Sequence, residues 1–152
     1  MAEANAEPKL LLPALHPFYE FVRPLSWLIV RIAVGWNLLM HGWGKVTHLP
    51  LSDAAIKGYA DLGFGLPGFW AYASMTIELL GGIALILGLF TRFFAAAAAI
   101  EMLVIFCIYW ANGFGWLHRG FEYVLLWGLI CFAIALRGGG PYSLDRKLGR
   151  EL

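Results

Sequence analysis

The 152-residue sequence is 61% hydrophobic and only 14% charged, with a formal net charge of +1. Soluble domains average roughly 45–50% apolar and about 25% charged residues, and a chain of this length has too much surface to hide such a surplus from water. An aromatic content of 16% excludes an intrinsically disordered chain. A net charge close to zero provides no electrostatic attraction for a nucleic acid. These quantities indicate a small integral membrane protein that binds no nucleic acid.

Four apolar segments have about the length that a helix needs to cross a bilayer, which is roughly 17–25 residues. They run from about 24 to 45, from about 68 to 90, from about 92 to 110 and from about 120 to 137. Pro24 and Pro67 suit helix starts, and the run Gly138–Pro141 should end the last helix. Because open sheets cannot satisfy their backbones in lipid, the sequence predicts an all-α fold, a membrane-embedded antiparallel four-helix bundle.

The predicted spans divide the chain into three parts. Residues 1–23 form an N-terminal tail and interfacial segment, although a disordered leader fits them equally well. Residues 24–137 form the domain of four transmembrane helices, and residues 138–152 form a C-terminal tail. The loop at about 46–67 is the longest and can hold a short helix on the membrane surface.

The distribution of basic residues predicts the orientation in the membrane. One side would hold seven basic residues and the other three. The first set is Lys9, Arg23, Arg92, Arg137, Arg146, Lys147 and Arg150, and the second is Lys45, Lys57 and Arg119. The positive-inside rule therefore predicts a multi-pass protein with both termini in the cytoplasm.

Charged residues inside the spans are expensive and mark the parts of the chain to examine first. At about 1.5 Å per residue, Arg31 lies about 10 Å deep, Glu101 about 13 Å deep and Glu78 about 15 Å from the outer end of its span. We therefore expect a buried polar cluster of these three side chains. Its net charge is minus one unless one glutamate carries a proton. A proton or ligand site and a purely structural network that fixes helix register are equally good interpretations.

A second polar group is expected at the outer ends of the spans. His41 and Lys45 share a helix face, and His118 and Glu122 fall at the same level across the bundle. With aromatic residues around them, they would suit a quinone headgroup, because a neutral His or a Lys can donate to a carbonyl and a carboxylate can accept a proton. Ordinary polar residues at the membrane interface are the alternative interpretation.

Small residues should let the helices approach closely. They are concentrated at Gly81, Gly82 and Gly88 in the second span and over Ala95–Ala99 in the third. No set of residues has the spacing of a metal site, so we expect neither a metal nor a covalently bound cofactor. No catalytic residue can be named from the sequence.

Four blocks of sequence resemble the DoxX family of bacterial membrane proteins. They are Arg31 with His41-Gly42 and Lys45; Glu78–Gly82 running to Gly88–Arg92; Asn112–Phe114 with Gly120–Tyr123; and Gly138–Asp145. The blocks occur in order and cover about residues 25–146. The family is related to the DoxD subunit of thiosulfate:quinone oxidoreductase.

This resemblance implies a bacterial inner-membrane protein that is a subunit of a quinone-linked oxidoreductase system. A quinone would be the ligand, and a separate partner protein would supply the redox cofactor. The alternatives are a non-catalytic scaffold or assembly subunit for a partner enzyme, and a conduit for protons or small solutes. A partner redox protein or a homo-oligomer is expected in addition to the lipid bilayer.

Overall fold

The computed structural model describes residues 9–151, and all of the secondary structure in that range is helical. The helices are α1 (His16–Val46), α2 (Asp53–Asp61), α3 (Pro67–Leu87), α4 (Thr91–Tyr109), α5 (Glu122–Arg137) and α6 (Leu144–Leu148). Short 3-10 turns lie at Pro13–Leu15, Trp110–Asn112 and Trp116–His118. Residues 1–8, which belong to the predicted N-terminal tail, lie outside the described residues.

The helix boundaries agree with the proline and glycine signals except at the start of α1. Pro67 occupies the first position of α3, and α5 ends at Arg137, directly before the glycine run. Pro24, however, lies inside α1, which begins two turns earlier at His16. Pro17 lies in the first turn of α1, where a missing backbone N–H has no consequence. The expected boundary at residue 23 therefore falls within a continuous helix.

The short helix expected in the longest loop is α2. The Ser52 hydroxyl caps it by accepting a hydrogen bond from the Ala55 N–H at 3.2 Å. On its exposed face the Lys57 ammonium binds Asp61 Oδ1 at 2.6 Å. This helix packs against α3.

Four long helices run alternately up and down. In three neighbouring pairs, residue numbers rise along one helix as they fall along the other, so the helices are antiparallel. Gly35 and Gly42 of α1 contact Gly82 and Leu79 of α3, and Gly81 and Ser74 of α3 contact Phe94 and Glu101 of α4. Arg92 and Phe106 of α4 contact Leu136 of α5 and Phe121, which directly precedes α5. The α1–α3 and α4–α5 pairs have the largest contacts. We call the end where α1 begins and α5 ends the terminal end, and the opposite end, which carries α2, the loop end.

Glycines set the distance between α1 and α3. A Cβ at Gly82 would lie 2.5 Å from the backbone nitrogen of Leu39, and one at Gly42 would lie still closer to that of Leu79. Gly81, which the sequence suggested as a further contact, faces the Phe94 side chain at an ordinary 3.4 Å. The backbones of α1 and α3 are therefore in direct contact over several turns.

Within residues 9–151, three helices are long and apolar enough to cross a membrane: the first from Pro13 to Val46, the second from Pro67 to Leu87 and the third from Thr91 to Asn112. Helix α5 has 16 residues, which corresponds to about 24 Å and is shorter than the roughly 30 Å of a hydrocarbon core. The structure thus shows three candidate spans where the sequence predicted four.

Replacing Gly42 with alanine should destabilise the protein. The added methyl group collides with the α3 backbone, which cannot rotate away as a side chain could, so we expect a loss of about 1–3 kcal/mol. The thermal unfolding midpoint in detergent micelles measures the effect.

Gly44→Ala is the matched control. It lies in the same helix with nothing within 4 Å of the added carbon, and alanine favours a helix over glycine by about 1 kcal/mol. Its midpoint should be unchanged or raised. Equal midpoints for the two variants would contradict the assigned contact.

Candidate functional site

The charged residues that the sequence places inside the spans form two separate groups rather than one cluster. Arg31 lies at the terminal end, whereas Glu78 and Glu101 lie nearer the loop end together with Lys45. Gly42, which touches the Glu78 backbone, is eleven residues beyond Arg31 on α1, or about 16 Å. The expected cluster of Arg31 with the two glutamates is therefore wrong with respect to Arg31.

The reason is a difference in level between α1 and α4. The sequence argument measured depth on α1 from Pro24 and on α4 from Arg92. In the structure the guanidinium of Arg31 lies at the level of Gly88 and Gly139, beside the start of α4. The first helix thus extends about two turns further out than assumed, and Arg31 is correspondingly nearer the membrane surface.

Arg31 binds the C-terminal tail. Its side chain is buried, with 1% exposed, and it donates hydrogen bonds to the Gly139 carbonyl and, at 2.6 Å, to the Tyr142 carbonyl. Gly88 ends α3 with a positive φ of 69° and leaves room for the guanidinium, since a Cβ there would lie 2.8 Å from it. Residues 138–151 are therefore folded against the helices.

Asp145 completes this terminal group. Its carboxylate is buried and accepts hydrogen bonds from the backbone nitrogens of Phe90, at 2.7 Å, and Thr91, at 2.9 Å. These are unsatisfied N–H groups of the first turn of α4, where negative charge is also favoured by the helix dipole. Its charge also acts on Arg31. The tail thus contacts α1, the end of α3 and the start of α4 through Arg31, Gly88 and Asp145.

The second group consists of four side chains from α1, α3 and α4, of which Lys45, Ser74 and Glu101 are joined by hydrogen bonds and Glu78 by an ion pair. The Lys45 ammonium lies 2.7 Å from Glu78 Oε2 and donates to Ser74 Oγ at 2.8 Å. The Ser74 hydroxyl donates to Glu101 Oε1 at 2.5 Å. With both carboxyls ionised, this inner group has one positive and two negative charges, so one negative charge has no counterpart.

The inner group borders a cavity of about 690 Å³ between α2, α3 and α4. Both Ser74 and Glu101 line it. Most of the other lining residues are apolar, and Asp61 and Arg119 are the charged ones towards the loop end. The uncharged residues that complete the lining are Ala55, Gly58, Tyr59, Leu62, Phe64, Trp70, Ala73, Ile77, Ala97, Ile100, Val104, Ile105, Ile108 and Tyr109. An apolar cavity with a few convergent polar groups is the usual form of a small-molecule site.

The four residues expected around a quinone do not line this cavity. Lys45 reaches it only through Ser74. Glu122 accepts a long hydrogen bond, 3.4 Å, from the Trp116 backbone. His41 and His118 are exposed. The cavity beside α2 is therefore a second candidate site, distinct from the one predicted at the outer helix ends.

Two important side chains were missed in the sequence argument. Ser74 lies one turn before Glu78 on the same helix face, a spacing at which side chains are neighbours, so the pattern could have identified it. Asp145 was noticed only as part of the family resemblance. Nothing in its local sequence indicates that it would cap a helix more than fifty residues earlier.

Comparison with known proteins identifies the family. The DoxX family model matches residues 26–118. This chain belongs to the DoxX family. The match includes α3, α4 and all four residues of the inner group, and no solved structure matches the chain. DoxX membership and the three apolar helices together make it a membrane protein of the lipid bilayer.

Three relatives are similar over most of their length. An uncharacterized protein of Haemophilus influenzae is 32% identical over 87% of this chain and 97% of its own. The inner membrane protein YqjF of Escherichia coli is 29% identical over 82% and 92%. A Bacillus subtilis protein named "Putative oxidoreductase CatD" is 30% identical over 78% and 83%.

Removing the carboxylate of Asp145 should detach the tail of this DoxX protein. Asp145→Ala leaves two N–H groups of α4 without acceptors, and the loss of such a cap costs roughly 0.5–2 kcal/mol. We expect a lower unfolding midpoint in micelles and faster proteolysis between residues 138 and 151.

The exposed Arg146 lies next to it in α6, and Arg146→Ala should change neither measurement. A tail that stays protected in Asp145→Ala would show that the cap does not hold it.

Proposed function

We propose that this DoxX protein is the membrane subunit of a quinone-linked oxidoreductase system and that the cavity beside α2 binds the quinone. The observation that carries the proposal is the cavity itself, an apolar space between α2 and two candidate membrane spans that ends at a half-buried Ser74–Glu101 pair. A relative named as an oxidoreductase supports the general class.

The cavity suits a quinone in three respects. Its volume lies within the roughly 300–1,000 Å³ of ligand pockets. Its walls are mainly apolar and aromatic, as a ring with an isoprenoid tail requires. Its inner end offers a carboxyl group that can accept a hydrogen bond when ionised and donate one when protonated. A partner protein would supply the electrons, and this chain would hold the ring and handle its protons.

The polar side chains of Ser74 and Glu101 favour a quinone over an ordinary lipid tail as the ligand. A lipid chain in the cavity would leave Ser74 and Glu101 facing hydrocarbon, at a cost in free energy. A quinone oxygen satisfies them. The terminal group is different, because Arg31 is already bound by backbone carbonyls and is close to Asp145. We therefore assign the ligand to the inner group and a structural role to the terminal one.

Filling the cavity should abolish binding. Ala97 lines the cavity one turn before Glu101, and Ala97→Phe would occupy the space of the ring. We expect at least tenfold weaker binding of a short-chain ubiquinone analogue to the protein in lipid nanodiscs, measured by titration calorimetry and by quenching of tryptophan fluorescence.

Two controls define the location. Ala96→Phe makes the same change one residue earlier, at a position that does not line the cavity. His41→Ala removes a side chain of the pocket expected from the sequence. Both should bind like the wild type. Loss of binding in His41→Ala but not in Ala97→Phe would place the ligand at the outer helix ends instead.

Absence of binding to the wild type would remove the quinone proposal. If a soluble or membrane protein then co-purified with the chain, the function would be that of a scaffold or assembly subunit. Analytical ultracentrifugation of the same preparation distinguishes such a partner from a homo-oligomer.

We also propose that α5 is a fourth crossing and that both termini lie in the cytoplasm of a bacterial inner membrane. Helix α5 runs along α4 from Phe121, beside Phe106, to Leu136, beside Arg92. It therefore covers the depth of a helix that is long enough to span. Glycine-rich segments at both ends of α5 can make up the missing length in a locally thinner bilayer.

Reporter fusions test this topology. A green fluorescent protein joined after Leu152 should fluoresce, and alkaline phosphatase at that site should be inactive, because it folds only outside the cytoplasm. Phosphatase joined after Gly65, between α2 and α3, should be active. The reverse pattern at either site would contradict the four-span orientation.

A further inference from the structure

The direction of the hydrogen bonds in the inner group is fixed by Lys45. An ammonium has three donors and no acceptor, so it must donate to Ser74 Oγ. The single hydroxyl proton of Ser74 is then directed to Glu101 Oε1. Each bond of the chain points from Lys45 towards Glu101.

This chain connects two different environments. Glu101 and Ser74 line the cavity, whereas Lys45 does not. The Lys45 side chain is 31% exposed, against 8% for Glu78, its ion-pair partner. A continuous path of hydrogen bonds therefore leads from the cavity wall to a partly exposed ammonium near the loop end of α1.

We propose that Glu101 exchanges one proton with the ligand in the cavity and that Ser74 and Lys45 carry this proton between Glu101 and the loop-end surface. This inference rests on the proposed function, because the ligand is taken to present a carbonyl oxygen. Lys45 transfers a proton to Ser74 Oγ while Ser74 transfers its own to Glu101. The products are a neutral lysine, an intact serine and a carboxylic acid, and water at the exposed side then restores the proton of Lys45.

The second oxygen of Glu101 completes the argument. Oε2 is buried and has no hydrogen-bond partner within residues 9–151. Since Oε1 is held by Ser74, Oε2 is the atom left for a ligand, towards which the carboxyl would turn on binding. A carbonyl oxygen only accepts hydrogen bonds, so it binds the protonated form of Glu101. Binding at a pH where Glu101 is otherwise ionised must therefore take up a proton.

Other groups that could titrate face the same region from every neighbouring element. They are Lys45 of α1, Tyr59 and Asp61 of α2, Glu78 of α3, Tyr109 of α4, Cys131 of α5 and, in the connection before α5, Arg119. Asp61 is the other carboxylate that lines the cavity, and it is paired with Lys57. It is the natural control for Glu101.

Proton uptake on binding tests the inference. The wild type in nanodiscs is mixed with the ubiquinone analogue in weak buffer containing a pH indicator. We expect about one proton taken up per analogue bound at a pH where Glu101 is ionised. Glu101→Gln, whose amide donates without a proton from solvent, should bind with no uptake, whereas Asp61→Asn, at whatever affinity it binds, should still take up about one proton per analogue bound. Binding of the wild type without uptake, or equal uptake in Glu101→Gln, would overturn the assignment.

The relay is tested without any ligand. A pH jump is followed by infrared spectroscopy, using the carboxyl band that disappears in Glu101→Gln. The band should respond at least tenfold more slowly in Ser74→Ala than in the wild type, and with the same final amplitude. An equal rate would overturn the relay. A normal relay in a protein that binds no analogue would instead count against the proposed quinone function alone.

Discussion

The close contact of α1 with α3 determines how Lys45 and Glu78, the ion pair of the inner group, lie relative to each other. Gly42 and Gly82 remove the side chains that would otherwise separate the two backbones. As a result Lys45 and Glu78, on different helices, come within 2.7 Å. With larger residues at the glycine positions the helices would move apart, and two charges would be left unpaired in hydrocarbon. The close packing of the two helices therefore makes the ion pair possible. Losing the pair would cost more free energy than losing a van der Waals contact, because an isolated charge in lipid is expensive.

A second constraint acts at the terminal end and leaves the loop end free to form a cavity. Asp145 and Arg31 bring the tail, the end of α3 and the start of α4 to one place. The Ser74–Glu101 hydrogen bond joins α3 to α4 between that point and the level of α2. The contact between α3 and α4 is smaller than that between α1 and α3. The space left between them is the cavity, and α2 covers it at the loop end.

The sequence predicted the elements of the fold better than their relative positions. Hydropathy, Pro67 and the Gly138–Pro141 run located most helix ends because these signals are local. The relative levels of the helices are not local. Arg31 was grouped with Glu78 and Glu101 because the depth of each residue was counted from the predicted start or end of its own span. Since α1 begins at His16 rather than at Pro24, the depth counted for Arg31 was wrong. Asp145 was missed for the same reason, since its partners Phe90 and Thr91 are far away in the chain.

The two charged groups differ in whether their charges are balanced, and this difference is the basis for giving one a structural role and proposing a ligand for the other. Arg31 has carbonyl acceptors and lies close to the carboxylate of Asp145, whose oxygens are in turn held by backbone N–H groups. The charges of such a site need no ligand to balance them. The inner group has two carboxyls for one ammonium and borders empty space. Because an uncompensated charge in a low-dielectric interior is expensive, it must be neutralised by a proton or by a ligand. The charge balance, rather than the depth of a residue in the membrane, is therefore the reason to take the inner group as the candidate functional site.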